Sequence, residues 1–432
     1  MKFYIIFITS FYLLFFSGCV TKTIVPETIE DLTQLEQKPY LYGNSDAFIV
    51  KSKQNALYKE YLNQYFKPWN IDKISYPIEV AKWAFEYKDK KVYAENHKLI
   101  NKQSFQALID NSNFEQYNNI AKKGITIRNT HLRALPMDGV IFYNPSRAGE
   151  GFPFDYNQNS SIKINTPLFI SHFSQDRLWV FVESSVALGW VKIQDIAFVD
   201  EHFIQEFQTG DYYINIKDKN GIYTKGFIQD SIELGTILPK NDKGFLIAHK
   251  DYSHKAILSY IDDNHNLKKM PIEFNMENIK LISSELIGQK YGWGGLYGHR
   301  DCSAMTKDFY APFGIFLQRN SGDQKNDGIY LDIKKMDKKS KKQYILDNAI
   351  PWMTLVYMKG HIMIYIGSQN GEPLVFHNVW GIRTLQDDGS TGRFVVGQAV
   401  VSTLEMGKDL PNVVENSLLI DRVEGITLIA LQ

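Results

Sequence analysis

The spacing of apolar residues changes along the chain, and each change predicts a boundary between domains. In residues 45–122, apolar side chains recur three and four positions apart, which predicts a helical domain. Beyond this region the period falls to two, as in residues 178–182, and turn residues separate the short alternating segments. We therefore expect one small β-barrel over residues 123–200 and a second over residues 205–275.

The C-terminal part of the chain, residues 276–432, combines both patterns. A helical period in residues 279–287 is followed by a glycine-rich turn and by a further helix pattern that Pro312 ends. Alternating segments typical of strands begin near Met353. Helices followed by an antiparallel sheet predict an α+β domain, so we expect the whole chain to be a multidomain α+β protein.

The first residues are predicted to form a secretory signal. A single lysine, Lys2, precedes an apolar run over residues 3–16, and the small residues Ser17 and Gly18 follow. The run is shorter than the roughly 20 residues that cross a bilayer comfortably. We expect a signal peptide over residues 1–19.

The residues around Cys19 resemble the lipobox of bacterial lipoproteins, in which the cysteine is lipidated and becomes the mature N-terminus. One position departs from that motif, because Phe16 stands where leucine is usual. The resemblance implies an exported protein held at the membrane face of the cell envelope by a lipid on Cys19, which is in the periplasm if the cell is Gram-negative. Plain secretion and a retained anchor are the alternatives. Residues 20–44 are then expected to form a polar tether.

The amino-acid composition argues against nucleic-acid binding, a disulfide framework and a zinc site. Lysine and arginine number 48, as do aspartate and glutamate, so the formal net charge is zero and lacks the basic excess of nucleic-acid-binding proteins. The two cysteines, Cys19 and Cys302, do not make a disulfide framework. Cys302 and the scattered histidines do not form a zinc-binding spacing, and we expect neither a metal nor a cofactor.

With Cys19 explained by lipidation, Cys302 remains as a candidate nucleophile. The glycine-rich segment 291–298 leads to Asp301, Cys302 and Ser303 at the predicted start of a helix. Unpaired N–H groups and the positive end of the helix dipole lower the pKa of a cysteine there and favour the reactive thiolate. Asp301 is suited to capping the helix. Taken alone, Cys302 fits a small buried core residue better than a nucleophile.

A cysteine nucleophile needs a base, and two histidines qualify. His361 begins an apolar strand pattern after Gly360, and His377 lies on the return strand of a predicted hairpin. On neighbouring antiparallel strands, one histidine can act as the base while the other orients it. Asn378 is the alternative orienting residue, since some cysteine–histidine sites use an amide there. The sequence does not fix the hairpin register, which decides whether the two histidines touch.

Together these elements resemble the NlpC-type cell-wall cysteine endopeptidases, a family with a papain-like fold. The resemblance covers residues 276–432 and rests on Tyr291-x-Trp293-Gly-Gly, Asp-Cys-Ser at 301–303, Gly360-His361, His377, and Arg319-x-Ser321 with Gln324. Ala304 stands where the family often has glycine. The preceding domains resemble a branch of this family that has a helical N-terminal domain and two bacterial Src-homology-3-type barrels. The segments that carry this second resemblance include residues 128–136, 179–182 and 189–191.

The resemblance implies a hydrolase that cuts the peptide part of peptidoglycan at the bond between D-γ-glutamate and diaminopimelate or lysine. It assigns catalysis to Cys302, His361 and His377. The residues that it implies in substrate binding are Asp301, Ser303, Tyr291, Trp293, Arg319 and Ser321. For Asp301, binding the free amine of the stem peptide's L-alanine competes with helix capping.

Two other functions stay open from the sequence. One is an amidase or acyl-transfer enzyme on the same fold, acting on another bond. The other is a non-catalytic lipoprotein that binds cell wall through its barrels. Because Cys302 and His361 are both present, the sequence argues against the non-catalytic alternative.

Overall fold

The computed structural model describes residues 26–43, 49–224, 227–262 and 265–430. The predicted signal peptide, its Cys19 and the first part of the predicted tether lie outside these residues. The predicted fold class is confirmed, because helices come first, β-sheets follow and an α+β domain ends the chain. Within the described ranges, no helix is long and apolar enough to cross a membrane.

Helices dominate the chain as far as residue 116. They are α1 (Glu30–Gln34), α2 (Lys51–Phe66), α3 (Ile78–Ala81) and α4 (Lys102–Asn111), with short 3-10 helices between and after them. At the end of α2, Tyr65, Phe66 and the nearby Trp69 are buried, and Trp69 Nε1 donates to the carbonyl oxygen of Gly124 at 2.8 Å. These rings pack with Phe207 in one core that the helical segment shares with the β-rich regions. Truncating such a ring to alanine typically costs about 3–5 kcal/mol.

The first β-rich region is a seven-stranded antiparallel sheet. Its strands are β1 (Lys122–Thr126), β2 (Thr130–Arg133), β3 (Gln158–Ile162), β4 (Pro167–Phe173), β5 (Trp179–Ser184), β6 (Leu188–Lys192) and β7 (Ile196–Phe198). They pair in the order β3-β2-β6-β5-β4-β1-β7. Alternate residues such as Leu132, Ile170 and Val182 face inward and form a closed apolar core, as the period of two predicts.

The second β-rich region follows α5 (Glu201–Phe207). It contains β8 (Tyr212–Asn215), β9 (Asn220–Thr224), β10 (Phe227–Ile232), β11 (Ile237–Asn241), β12 (Gly244–Lys250), β13 (Ala256–Ile261) and β14 (Leu267–Lys269). Five strands pair in the order β13-β12-β11-β8-β14, and β9 and β10 form a separate hairpin. Its own core includes Leu238, Phe245 and Ile247.

The C-terminal domain places helices against one six-stranded antiparallel sheet. Its helices are α6 (Met276–Leu286), α7 (Cys302–Tyr310), α8 (Ser321–Gln324), α9 (Lys338–Asn348) and α10 (Leu419–Arg422). Its strands are β15 (Gly328–Asp332), β16 (Thr354–Met358), β17 (His361–Gln369), β18 (Glu372–Leu385), β19 (Thr391–Thr403) and β20 (Val423–Ile429). The strand order is β15-β20-β16-β17-β18-β19, and α7 packs on β17 and β18.

The structure corrects the prediction of a tether for residues 26–43. The Asp31 carboxylate accepts hydrogen bonds from the backbone N–H and the hydroxyl of Thr403, at 2.6 and 2.9 Å. The Gln37 amide exchanges two hydrogen bonds with the backbone of Val401. These polar side chains cover the edge strand β19, so their polarity reflects strand pairing rather than exposure to water.

Candidate active site

Cys302 is the first residue of α7, and 7% of its surface is exposed. Asp301 caps the helix, because its Oδ1 accepts from the backbone N–H of Ala304 at 2.8 Å. On the inner face of the helix, Met305 and Phe309 are buried against the rest of the domain. The helix therefore starts where the sequence predicts, and it fixes the sulfur next to β17.

His361 and His377 are in direct contact. Nε2 of His361 lies 2.7 Å from Nδ1 of His377, and Nε2 of His377 lies 2.9 Å from Oγ of Ser402. The Ser402 hydroxyl donates its proton to the carbonyl oxygen of Thr403 at 2.9 Å, so it accepts from His377. This order of donors places the His377 proton on Nε2. His361 then donates from Nε2, and its Nδ1 is left as the free base.

The thiol lies beside the strand that begins with His361. The backbone of Ile362 hydrogen-bonds the Cys302 sulfur. Asn378, the alternative orienting residue, turns its amide away from the histidines and donates to the carbonyl oxygen of Arg300 at 2.9 Å. Asn378 therefore holds the loop before Cys302, and His377 is the residue that contacts His361.

Burial sets the charge state of the cysteine and the histidine. It raises the pKa of the Cys302 thiol to about 12, and Asp301 adds to this effect. It lowers the pKa of His361 to about 3, with a smaller contribution from Arg422. Both groups are therefore neutral near pH 7 in the substrate-free protein. The thiolate expected from the helix N-terminus is not favoured here, because the cost of burying a charge outweighs the helix dipole.

Asp301 and Arg319 form a buried ion pair. Arg319 donates from Nη2 to Oδ2 at 2.7 Å and from Nη1 to Oδ1 at 3.1 Å. The carboxylate also accepts from the Ser303 hydroxyl and from the N–H groups of Ala304 and Gly294. Five donors thus share a carboxylate that has about four lone-pair sites. Of the two roles predicted for Asp301, the geometry supports helix capping.

The glycine-rich loop before Cys302 takes its shape from the first β-rich region. Gly294 and Gly295 have φ angles of +58° and +84°, which favour glycine. A Cβ on Gly295 would lie 2.1 Å from Oγ of Ser161 on β3. Gln158, on the same strand, donates to the carbonyl oxygen of Gly294 at 2.8 Å, and Trp293 Nε1 donates to a nearby backbone carbonyl. The Trp-Gly-Gly motif is therefore an interdomain contact that positions the nucleophile loop.

A cleft of about 500 Å³ opens over Cys302. The six residues predicted to bind substrate all line it, namely Tyr291, Trp293, Asp301, Ser303, Arg319 and Ser321. Aromatic residues from other parts of the chain complete the wall, namely Tyr76, Trp83, Tyr87 and Tyr156. Sequence reasoning missed these four, because no motif marks them. Only the packing of the helical segment and the first β-rich region against the C-terminal domain brings them to the site.

Sequence reasoning also missed Ser402, whose position on β19 carries no recognisable signal. Across the part of the chain that the structure describes, no group of three or more histidine, cysteine, aspartate or glutamate side chains is arranged to hold a metal ion. The site itself presents a thiol and an imidazole in a partly enclosed cleft, the groups that thiol-based acyl transfer uses.

Comparisons with known proteins find family matches in three parts of the chain. Family models match residues 7–117 as the N-terminal NLPC_P60 stabilising domain, residues 141–192 as an SH3 domain of SH3b1 type, and residues 288–389 as the NlpC/P60 family. No curated protein matches the chain.

Solved structures include two similar proteins of the same family. An NlpC/P60 endopeptidase from Photobacterium damselae subsp. piscicida is 25% identical, with a TM-score of 0.83 over 92% of this chain and 97% of that one. An NlpC/P60 family protein from Bacillus cereus ATCC 10987 is 15% identical, with a TM-score of 0.37 over 62% of this chain and 81% of that one. The C-terminal domain of this chain thus belongs to the NlpC/P60 family of cysteine peptidases, and an SH3 domain and an N-terminal stabilising domain precede it.

Proposed function

We propose that the chain is a peptidoglycan hydrolase, a cysteine endopeptidase that cleaves the bond between the γ-carboxyl of D-glutamate and the diamino acid of cell-wall stem peptides. The observation that carries this proposal is the hydrogen-bonded series His361–His377–Ser402 on the strands beside the Cys302 sulfur. A free imidazole nitrogen next to a thiol at a helix N-terminus suits thiol-based acyl transfer. Similarity to a solved NlpC/P60 endopeptidase supports the same class of reaction.

In the first step, His361 acts as the general base. Its free Nδ1 takes the thiol proton while the Cys302 sulfur attacks the γ-carbonyl carbon, so charge develops only with substrate in place. The backbone N–H of Cys302 and the positive end of α7 stabilise the oxyanion of the tetrahedral intermediate. His377, neutral and hydrogen-bonded to Ser402, keeps the imidazole in this orientation.

In the second step, the intermediate collapses and the C–N bond breaks. Protonated His361 gives its proton to the departing amine of the diamino acid, and the acyl group stays on Cys302 as a thioester. A water molecule that His361 deprotonates then attacks the thioester carbon. The acid fragment, L-Ala-D-Glu, leaves, and the sulfur regains its proton from His361.

The walls of the cleft favour short peptides as substrates. Trp83 and Tyr87 of the helical segment and Tyr156 of the first β-rich region stand beside the catalytic loop. These side chains add walls to the cleft that the C-terminal domain does not supply, and we infer that they limit the room for an attached glycan strand. We therefore expect fragments with a free L-alanine end to be better substrates than intact wall.

Export and lipid anchoring complete the proposal. Two sequence features support localisation at the cell envelope with a lipid on Cys19. They are the apolar run over residues 3–16 and the lipobox-like segment that ends at Cys19. Metabolic labelling with an alkyne fatty acid tests this assignment. Label on the wild-type chain and none on Cys19→Ser is the expected result, and equal labelling of the two would refute it.

Product analysis tests the catalytic proposal. The purified chain is incubated with L-Ala-γ-D-Glu-diaminopimelate peptides and with intact sacculi, and the products are identified by mass spectrometry. We expect L-Ala-D-Glu from the peptide with the wild type and none with Cys302→Ala. A different product lost in Cys302→Ala would instead indicate an amidase. Binding of sacculi without turnover of either substrate would indicate a wall-binding protein.

A further inference from the structure

Three arginines converge on a second chamber next to the catalytic histidine. Arg383 on β18 and Arg393 on β19 are direct partners in the antiparallel register. Arg422, at the end of α10, joins them around a cavity of about 190 Å³ that His361 also lines. The chamber is thus adjacent to the reacting groups and carries three positive charges.

The placement of these arginines is unfavourable unless an anion offsets it. Like charges directly opposite each other on two strands destabilise a sheet. Arg393 and Arg422 are half-buried, and burial and the neighbouring arginines lower the pKa of both. Both effects oppose the charged form that an arginine keeps at neutral pH.

The described part of the protein does not supply that anion. Arg393 donates to the carbonyl oxygen of Gly392 at 2.9 Å, and Arg422 donates to that of Lys359 at 3.4 Å. No ion pair joins Arg383, Arg393 or Arg422 to a carboxylate of the described residues. The carboxylate of Glu150 lies 3.7 Å from Nη1 of Arg147. Charged donors that line a cavity without a carboxylate partner are typical of a site for an anionic ligand.

The position of the chamber identifies which part of a substrate reaches it. The main cleft contains Cys302, whereas the arginine chamber contains His361, and the two share Tyr291, Trp293 and Gly360 as lining. The acyl group binds at the sulfur, and the amine departs next to the imidazole that protonates it. The chamber therefore lies on the side of the leaving diamino acid.

We propose that Arg383, Arg393 and Arg422 bind the carboxylates of the leaving diamino acid, so that the enzyme prefers diaminopimelate to lysine at that position. This inference rests on the proposed function. Diaminopimelate carries a carboxylate at the far end of its side chain, and lysine has only an amine there. A tripeptide that ends at diaminopimelate offers two carboxylates to the chamber, which suits bidentate binding by guanidinium groups.

Matched substrates test the inference without changing the protein. The full-length chain hydrolyses three tripeptides that share L-Ala-γ-D-Glu and end in diaminopimelate, in diaminopimelate amidated on its side-chain carboxylate, or in lysine. We expect the kcat/KM of the first to exceed those of the other two by about tenfold or more, since a buried charged contact is lost in both. Equal values for all three tripeptides would overturn the inference.

Variants then locate the effect in the chamber. Arg383→Gln with Arg393→Gln is expected to lower kcat/KM for the diaminopimelate tripeptide about tenfold more than for the lysine tripeptide, which offers the arginines only its α-carboxylate. Arg177→Gln is the matched control, because Arg177 is an exposed arginine of the first β-rich region. A preference for diaminopimelate that survives in the double variant would refute the role of these arginines.

The outcomes also separate this inference from the proposed function. Hydrolysis of all three tripeptides to L-Ala-D-Glu at equal rates would contradict the proposed arginine site. The same result would still support the endopeptidase activity. Failure to release L-Ala-D-Glu from any of the three contradicts the endopeptidase, and the inference that rests on it is contradicted with it.

Discussion

Nε2 of His361 lies 2.7 Å from Nδ1 of His377, and this contact decides which nitrogen of His361 is free to act as a base. The direction of the hydrogen bond is set one residue further away, where Ser402 donates to a backbone carbonyl and so accepts from His377. A fully buried serine hydroxyl thereby controls the tautomer of both histidines. Ser402 is a positioning residue in this arrangement.

Removing the Ser402 hydroxyl should therefore reduce turnover more than binding. In Ser402→Ala, Nε2 of His377 loses its acceptor, and both histidine tautomers become free to exchange. We expect kcat to fall about tenfold to a hundredfold with little change in KM, because an orienting contact acts in the transition state. Nitrogen NMR of the histidine rings measures the tautomers directly. Ser283→Ala is the control, since Ser283 is also fully buried but lies on α6 and is not part of the His361–His377–Ser402 series.

An unchanged nitrogen spectrum in Ser402→Ala would contradict the assignment of Ser402 as the tautomer-setting residue. If Ser402→Ala lowers kcat no more than Ser283→Ala does, Ser402 contributes only packing. The two measurements together separate positioning from stability, because a purely structural defect does not move a histidine tautomer.

The charge state of Cys302 makes a second prediction. Its pKa is raised to about 12 by burial, so at every pH below this value most of the thiol is protonated. Alkylation by iodoacetamide follows the thiolate fraction and should rise about tenfold per pH unit from pH 6 to pH 9. Cys302→Ala reports the background labelling. A rate that is flat between pH 5 and pH 8 would show a thiolate–imidazolium pair instead.

The contact between the nucleophile loop and the first β-rich region makes a third prediction. In Gly295→Ala, the new Cβ meets Oγ of Ser161 at 2.1 Å, so β3 and the loop must separate. We expect activity to fall at least about tenfold, since small displacements of a catalytic group are costly. Gly288→Ala is the matched control, because Gly288 also has a positive φ but nothing lies within 4 Å of its Cβ position. Equal losses in both variants would assign the effect to backbone strain.

The candidate nucleophile and the candidate base could be identified from the sequence because their signals are local. Cys302 follows a glycine-rich loop and precedes a helix pattern, and His361 and His377 flank a hairpin turn. Ser402 and the pairing of Arg383 with Arg393 could not be read, because they depend on the register of β18 with β19.

Burial was the other quantity that local patterns did not contain. The helix N-terminus of Cys302 favours a thiolate, and only the packing of neighbouring elements around the sulfur reverses that preference. The polar residues 26–43 similarly suggested a tether, although Asp31 and Gln37 pair with the edge of the sheet. In both cases a partner distant in the chain decides the outcome.

A fourth prediction concerns the buried charges that join the domains. Arg300 is 4% exposed, and its Nε lies 2.7 Å from Asp308 on α7 while its Nη2 lies 2.8 Å from Asp218 in the second β-rich region. Asp308 also binds Lys163 at 2.6 Å, which follows β3 of the first β-rich region. Burial alone would raise the pKa of Asp218 and Asp308, but their cationic partners outweigh it and lower both pKa values.

Arg300→Gln should therefore destabilise the protein strongly at neutral pH and less in acid. At pH 7 it leaves the buried Asp218 without its cationic partner and Asp308 with Lys163 alone, which costs about 3–5 kcal/mol. Because the two aspartates have lowered pKa values, the stabilisation by Arg300 is complete above their unfolded value of 3.8 and is lost as pH falls through the folded values. Urea midpoints at pH 7 and at about pH 2 measure the difference, with Arg177→Gln as the exposed control. A shift that is the same at both pH values would show that Arg300 contributes packing rather than charge.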